Sequence, residues 1–395
     1  MIESYGTLYA GHVDFEEVGF DAPALNKRWL TEDKLNSVYS KAESIAKVLD
    51  ENGFDIFWMA EHHFQREGYE CLPNIMMMAV HLAHLTKNIR IGCGFNVAPM
   101  WHPLRMAEDF ATADILTKNR VVFGVARGYH TREVEVFGNP MIDSDANREL
   151  FEEQVEVVQK AFNQDSFSHK GKNYTIPPTV PYRGYELEEI TLVPRPVKRP
   201  VDCWQPIVSA SERGLKFMAK HKMKGIIGGG AKKGASSEKV IEAWRRIQIE
   251  NGIDAELGEN LCVSFNFHIA ETEEKAIKEV RPFFEENMKM FAPLGFIGGL
   301  DDSQIEAINI GGSVARSANL PTLEDSVASG GWLVGTPESV AEKLVDVQSR
   351  YPALKYVNVG QAIGTPQNVI AEQLEVFGKE VIPRVSPGLS KKILP

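Results

Sequence analysis

Two periods of apolar residues alternate along this chain. Continuous apolar runs, of the kind a strand buried on both faces requires, fall at 5–10, 54–60, 89–98 and 120–126, and again at 207–209, 224–228, 261–270 and 355–359. Between them the spacing becomes helical. Leu35, Val38, Tyr39, Ala42, Ile45, Ala46 and Leu49 mark one face of a first helix, and Gly53 stands where a left-handed C-terminal cap belongs. Further helices are predicted at 72–85, 103–116, 146–162, 211–221, 237–251, 272–291, 337–351 and 366–379, with Pro103 in the first turn of the third. Eight strands, each followed by a helix, fit a closed (β/α)8 TIM barrel forming one domain over 1–395. A doubly wound open sheet is the alternative that alternation alone leaves standing.

Two stretches break the rhythm. Residues 163–206 hold a predicted hairpin at 167–176, turning at Gly171-Lys172, and then a proline-rich stretch from 177 read as irregular packing. Residues 295–331 are rich in Gly, Ser, Asp and Ala and read as a long loop. All strand-to-helix loops of a barrel open on one face, so this loop is read as a lid over an active site rather than a surface insertion.

Composition narrows the function. The 395 residues are 43% hydrophobic, enough for a large core, and 54 acidic against 43 basic residues give a net charge of −11. That sign disfavours nucleic acid or an anionic membrane as partner. Cys71, Cys93, Cys203 and Cys262 form no C-x-x-C pair and read as reduced thiols. The start Met1-Ile2-Glu3-Ser4 lacks signal-peptide character, and no run reaches membrane-spanning length, so a cytoplasmic enzyme is the expectation.

The candidate chemistry sits at the strand exits: Glu61-His62-His63, Asn96, Arg127-Gly128, Ser209-Ala210-Ser211 and Gly228-Gly229-Gly230. In a barrel these converge on one rim. Serines and free N–H groups at a helix start, with an arginine nearby, suit a phosphorylated cofactor. His62, with Glu61 beside it, is the candidate for proton transfer. The glycines, Gly228 among them, allow backbone to approach a flat ligand. No metal site is expected: adjacent side chains at 61–63 diverge, and His81 and His84 have no evident third ligand.

Ala60-Glu61-His62-His63-Phe64, Val97-Ala98-Pro99, His102-Pro103, Arg105-Met106-Ala107-Glu108-Asp109, Phe123-Gly124-Val125-Ala126-Arg127-Gly128, Val136-Phe137-Gly138, Gly171-Lys172-Asn173-Tyr174 and Gly335-Thr336-Pro337-Glu338 follow one another in this order. In that order the chain resembles the bacterial luciferase-like family of flavin-dependent monooxygenases. The resemblance implies a (β/α)8 barrel with reduced FMN at the C-terminal rim of the strands. It implies that Arg127 and Ser209-Ala210-Ser211 hold the FMN phosphate, that His62 acts beside the flavin, and that Gly94-Phe95 forms a non-proline cis peptide beneath the ring. Tyr129 and His130 would lie near the cofactor's edge. It further implies a separate flavin reductase as FMN donor, a flavin hydroperoxide formed with O2, oxygenation of a small organic substrate, and the 295–331 lid. Assembly as a homodimer, or a heterodimer, would use the helix carrying Met76, Met77, Met78 and Val80. A deazaflavin-dependent hydride transfer and a non-catalytic flavin-binding role are the alternatives. Ala126 replaces the reactive cysteine of the luciferase catalytic subunit, and Val208 and Glu212 replace its glutamate and threonine. These departures argue against light emission and long-chain aldehydes.

Overall fold

The computed structural model describes residues 1–229 and 236–389. Eight parallel strands form the centre: β1 (Ser4–Tyr9), β2 (Ile56–Met59), β3 (Arg90–Cys93), β4 (Val121–Ala126), β5 (Cys203–Ile207), β6 (Lys224–Gly228), β7 (Leu261–Ile269) and β8 (Tyr356–Gly360). Each pairs with the next, and β8 pairs back onto β1 at Ser4↔Tyr356, so the sheet closes and this ring has no free edge. The fold is a (β/α)8 TIM barrel. Helices α1 (Glu32–Glu51), α2 (Ile75–Leu85), α3 (Pro103–Leu116), α4 (Ser144–Asn163), α5 (Glu212–Lys220), α6 (Ser236–Glu250), α7 (Glu273–Phe291), α8 (Pro337–Arg350) and α9 (Gln367–Val376) surround it.

Local chemistry sets the helix limits. Thr31 caps α1 by accepting from the Lys34 N–H, Asn74 caps α2 through Met77 N–H, and Asp143 caps α4. Because Asn74 is the cap, α2 begins at Ile75 rather than at the expected residue 72.

Four other expectations need correction. The fifth strand is Cys203–Ile207, not 207–209, and Val208 is exposed. Gln205 and Pro206 interrupt the apolar run, and their positions inside a barrel conceal the strand. The third run is not one strand. It breaks after Cys93 at a cis Gly94–Phe95 peptide, and Asn96–Val97 then pairs with Val125–Ala126 of β4. The proline-rich stretch holds a second small hairpin, Pro181–Tyr182 with Tyr185–Glu186, beside the expected one at His169–Lys170 and Thr175–Ile176. Residues 295–331 are not a loop but contain three short helices, Asp302–Ile310, Gly312–Ser317 and Leu323–Ala328. Capping boxes at Asp301/Gln304 and Thr322/Asp325 start two of them. β7 runs nine residues, and its last four pair with Trp332–Gly335, which fixes the end of this helical segment beside the rim.

Inside the barrel, Ile56, Trp58, Val122, Trp204 and Cys262 pack with Phe95, Ile226 and Tyr356. The Trp58 and Trp204 rings meet edge-on at 5.5 Å. Trp58 fits because residue 92 has no side chain: a Cβ there would lie 2.1 Å from the indole. Gly92→Ala therefore forces the ring or β3 to shift, at a cost of about 1–3 kcal/mol. The measurement is the urea midpoint of the variant, and an unchanged midpoint would contradict this account of the interior.

Candidate active site at the barrel mouth

A cavity of about 830 Å³ opens above this packed interior, walled by the C-terminal ends of the strands and the segments that follow them. Its size suits a cofactor-scale ligand. Of the residues singled out from sequence, Glu61, His62, Gly94 and Phe95 line it on one side of the sequence, and Arg127, Tyr129, Ser209, Ser211 and Gly228 on the other. Asn96 and Ala210 are not on the wall. Asn96 is fully buried, and its Nδ2 donates to the Gly124 carbonyl at 2.9 Å. Gly230, Lys232 and Lys233 lie outside the described residues.

His62 leaves β2 into a cluster of acids. Its Nδ1 is 3.3 Å from both carboxylate oxygens of Glu133, and its Nε2 is 3.2 Å from the Tyr129 hydroxyl. That hydroxyl donates its single proton to Glu70 Oε1 at 2.6 Å, so toward His62 it acts as acceptor. Both imidazole nitrogens thus face acceptors, the arrangement of an imidazolium. Burial works against the cation, but Glu70, then Glu133 and Glu61, outweigh it, and the His62 pKa is raised above its ordinary value. Burial likewise works to raise Glu70, yet His62, His130 and Tyr129 hold it down at about 2. His130 Nε2 donates to Glu70 Oε2 at 2.9 Å, and Gln65 Nε2 bridges to Glu133 at 3.0 Å.

Glu61 has a different setting. Its carboxylate accepts from the Val97 N–H at 2.7 Å and the Trp101 indole N–H at 2.9 Å, and it lies 3.1 Å from His63 Nε2. Both donors follow the cis peptide, and the Glu61 N–H itself donates to the Phe95 carbonyl at 3.2 Å, so Glu61 braces the chain from that peptide onward. Ligand-type atoms of His62, Glu70 and His130 lie within 4.8 Å of one another, a grouping absent from the sequence reading. They are already joined by the hydrogen bonds just described. His81 and His84 do not converge: His81 bonds Glu43 and His84 bonds the Val80 carbonyl.

On the phosphate-type side, Arg127 Nε donates to Asn147 Oδ1 at 2.8 Å, and its terminal nitrogen reaches Ser144. Burial and the neighbouring Arg148 press its pKa down, against Glu152. Arg148 also lines the cavity and has no side-chain partner among the described residues. Sequence reasoning missed it. Its signal was available, because a cation near a helix's N-terminal end opposes the helix dipole and calls for an anion. Ser211 is the N-cap of α5 but makes no side-chain capping bond, so its hydroxyl and the first N–H groups of α5 are free toward the cavity. Glu212 turns away to Lys216 at 2.9 Å.

With this geometry in hand, comparison with known proteins places the chain. A family model described as luciferase-like monooxygenase matches residues 17–353, and the chain belongs to that family. It is 28% identical over 163 residues to the oxygenase component of a flavin-dependent trigonelline monooxygenase of Acinetobacter baylyi, a match covering 41% of each chain. It is 24% identical over 361 residues to limonene 1,2-monooxygenase of Rhodococcus erythropolis, covering 88% of this chain and 82% of that one. The chain spans only 39% to 64% of the length of the first curated relatives it matches. Among solved structures, the oxygenating constituent of 3,6-diketocamphane monooxygenase of Pseudomonas putida, in complex with FMN, aligns at a TM-score of 0.74 with 17% identity, covering 98% of this chain and 99% of the other. An F420-dependent secondary alcohol dehydrogenase aligns at 0.63, also at 17% identity, covering 98% and 99%. At these identities the structures show a shared fold.

The linkage of His62 and Glu70 has a definite sign. A raised histidine stabilises the fold fully below its ordinary 6.5 and loses that contribution as pH rises through the folded-state value. A depressed carboxylate stabilises above its ordinary 4.5 and loses the contribution as pH falls toward about 2. Their shared interaction is therefore strongest between those two ordinary values. Glu70→Gln is expected to lower the His62 midpoint followed by NMR, and to destabilise most in that window. A midpoint equal to wild type would refute the pairing.

Proposed function

We propose that this protein is the oxygenase of a two-component flavin monooxygenase. It takes reduced FMN from a separate reductase and uses O2 to oxygenate a small organic substrate inside the cavity. The observation that carries the reading is the meeting, around one cavity, of a cation-and-hydroxyl clamp without partners among the described residues and an imidazole whose two nitrogens both face acceptors. The clamp fits a phosphate monoester: among the described residues Arg148 lacks a side-chain partner, Ser211 makes no side-chain capping bond, and Arg127 and Ser209 line the same cavity. Reduced FMN supplies, when bound, the electrons that activate O2.

The protein's own residues do the rest. His62 holds a proton among Glu133, Glu70 and the Tyr129 hydroxyl, and both His62 and Tyr129 line the cavity in which that proton is used. Glu61 is a positioning residue, fixing the Val97 amide and Trp101 and so the Gly94–Phe95 wall against which the ring would lie. Gly228, with no atom within 4 Å of where a Cβ would stand, leaves bare backbone for a flat ligand. The helical segment within 295–331 is the lid. Phe296 packs edge-on against Tyr129 at 5.0 Å, and Ser326, Ser329 and Gly331 complete the cavity wall, so closing it excludes water from the chemistry. The segment is tied down by ion pairs of Arg316 with Asp21 and Arg281 with Glu324. Assembly would use α2 and α3, where Met77, Ile115 and Leu116 are exposed. Among the described residues no helix is long and apolar enough to cross a membrane, in keeping with a cytoplasmic enzyme.

The test supplies NADH, FMN, a generic flavin reductase and candidate substrates under 18O2, with label expected in product. His62→Ala should cut turnover and spare FMN binding. Arg148→Ala should weaken FMN about 10–100-fold, the worth of one charged hydrogen bond, and leave riboflavin, which has no phosphate, unaffected. Equal losses for both flavins would remove Arg148 from the clamp. Binding of the deazaflavin F420 with none of FMN would replace this reading by hydride transfer. Unlabelled product, with all oxygen released as peroxide, would leave only a flavin-binding protein.

A further inference from the structure

A second histidine shares the cavity wall, and its surroundings are the reverse of those of His62. His12 follows β1 and is 4% exposed. Its backbone is pinned on both sides, by Cys71 N–H donating to the Gly11 carbonyl at 3.1 Å and Val13 N–H donating to the Gly68 carbonyl at 2.9 Å. The Tyr9 ring packs edge-on against the imidazole at 5.1 Å.

Two donors converge on Nδ1, the Gly364 N–H at 3.0 Å and the buried Lys41 ammonium at 3.2 Å, both nearer than the one acceptor beside it, the Val13 carbonyl at 3.4 Å. The other two protons of that ammonium go to Asp14 Oδ1 and the Thr365 carbonyl, each at 2.7 Å. The lysine has three protons and three acceptors, so its donation to Nδ1 is fixed, and the backbone N–H has no proton to accept. Nδ1 must therefore be bare, and the ring proton sits on Nε2. Burial first, and Lys41 second, hold the His12 pKa well below its ordinary value, so the ring stays neutral at working pH. The titratable groups facing it are Lys41 and, beyond it, Asp14, with Tyr9 against the ring. Nε2 has no partner among the described residues. An N–H without a protein partner, on a residue that lines a binding cavity, is available to an acceptor brought by a ligand.

We propose that His12 anchors the organic substrate, its Nε2–H donating to an oxygen acceptor (carbonyl, carboxylate or ether) on the molecule that shares the cavity with the flavin. This rests on the cavity being the chamber where flavin and substrate meet. It assigns the substrate to oxygen-bearing compounds rather than plain hydrocarbons. Lys41 is a positioning residue that acts through His12. Burial lowers the Lys41 pKa to about 8, so this ammonium is intact on the acid side of that value, and there the reacting molecule is held by a neutral donor while His62 handles the proton.

Two measurements on the full chain test this. In 15N-histidine NMR without flavin, His12 should remain the neutral Nε2–H tautomer throughout the neutral range, and Lys41→Met should release a mixture of tautomers. A cationic ring, or the Nδ1–H tautomer, overturns the assignment without touching the flavin reading. In calorimetric titrations, cyclohexanone should bind wild type about tenfold tighter than methylcyclohexane, the scale of one hydrogen bond. His12→Phe should abolish that preference with FMN affinity retained, and His12→Gln, which keeps an N–H donor, should restore part of it. Absence of the preference in wild type, its survival in His12→Phe, or a parallel loss of FMN affinity overturns the proposal. Failure of wild type to bind FMN would count separately, against the flavin chamber itself.

Discussion

A carboxylate taken out of water costs several kcal/mol unless a counter-charge and hydrogen bonds replace its hydration. At this barrel mouth Glu70 and Glu133 are 3% and 1% exposed, and the same small cluster supplies what each needs. Glu70 receives the Tyr129 hydroxyl and His130, Glu133 receives the His63 N–H and Gln65, and His62 lies between them. Remove the imidazolium and two buried anions lose the ring that lies between them. The positions of Tyr129, His130 and the short helix Thr131–Val134 all follow from satisfying that pair. This constraint also fixes His62 in space, because both of its nitrogens are spoken for.

The barrel makes the cluster possible. His62 and Glu70 follow β2, and Tyr129 and Glu133 follow β4, so the parallel order β2-β3-β4 brings their loops together over β3. Interior packing sets the height at which this happens. Trp58 and Trp204 fill the lower half, Gly92 making room for the first, and the cavity begins above them. The extra length of β7 then carries Trp332–Gly335 and the helical segment before it to the same rim. Floor, wall and cover thus have separate origins: aromatic packing, strand exits, and one strand longer than its neighbours.

How much of this could be read from the chain depended on whether the signal was local. The apolar runs that became β2 and β4 carried His62 and Arg127 at their exits, and the rim followed from them. Helix α3 begins and ends where Pro103 and the apolar period placed it. β5 was misplaced because Gln205 and Pro206 break the run that a buried strand should show, a rule that loosens where a strand faces a cavity. The 295–331 segment looked like a loop by composition, although Asp301-x-x-Gln304 and Thr322-x-x-Asp325 were legible helix starts. Glu70, Glu133 and His12 had no local signal. Their roles come from pairings between distant parts of the chain: Glu70 with His130 across 60 residues, Glu133 with His62 across 71, and His12 with Gly364 across 352.

His62 and His12 show why residue type at a strand exit says less than the company it keeps. Each is buried on the same cavity, and an isolated imidazole would titrate alike in both places. His62 meets only acceptors, two carboxylates and a hydroxyl already committed as donor, so protonation satisfies every partner. His12 meets donors at Nδ1, a lysine with no proton to spare and a backbone amide, so protonation would set N–H against N–H. Partner counting points the two rings in opposite directions: at His62 the neighbouring carboxylates outweigh burial, and at His12 burial and Lys41 act together. A chamber with one cation and one neutral donor can move a proton at one point while holding a molecule at another. The acids around His62 and the lysine behind His12 are therefore as much part of the site as the rings that face the cavity.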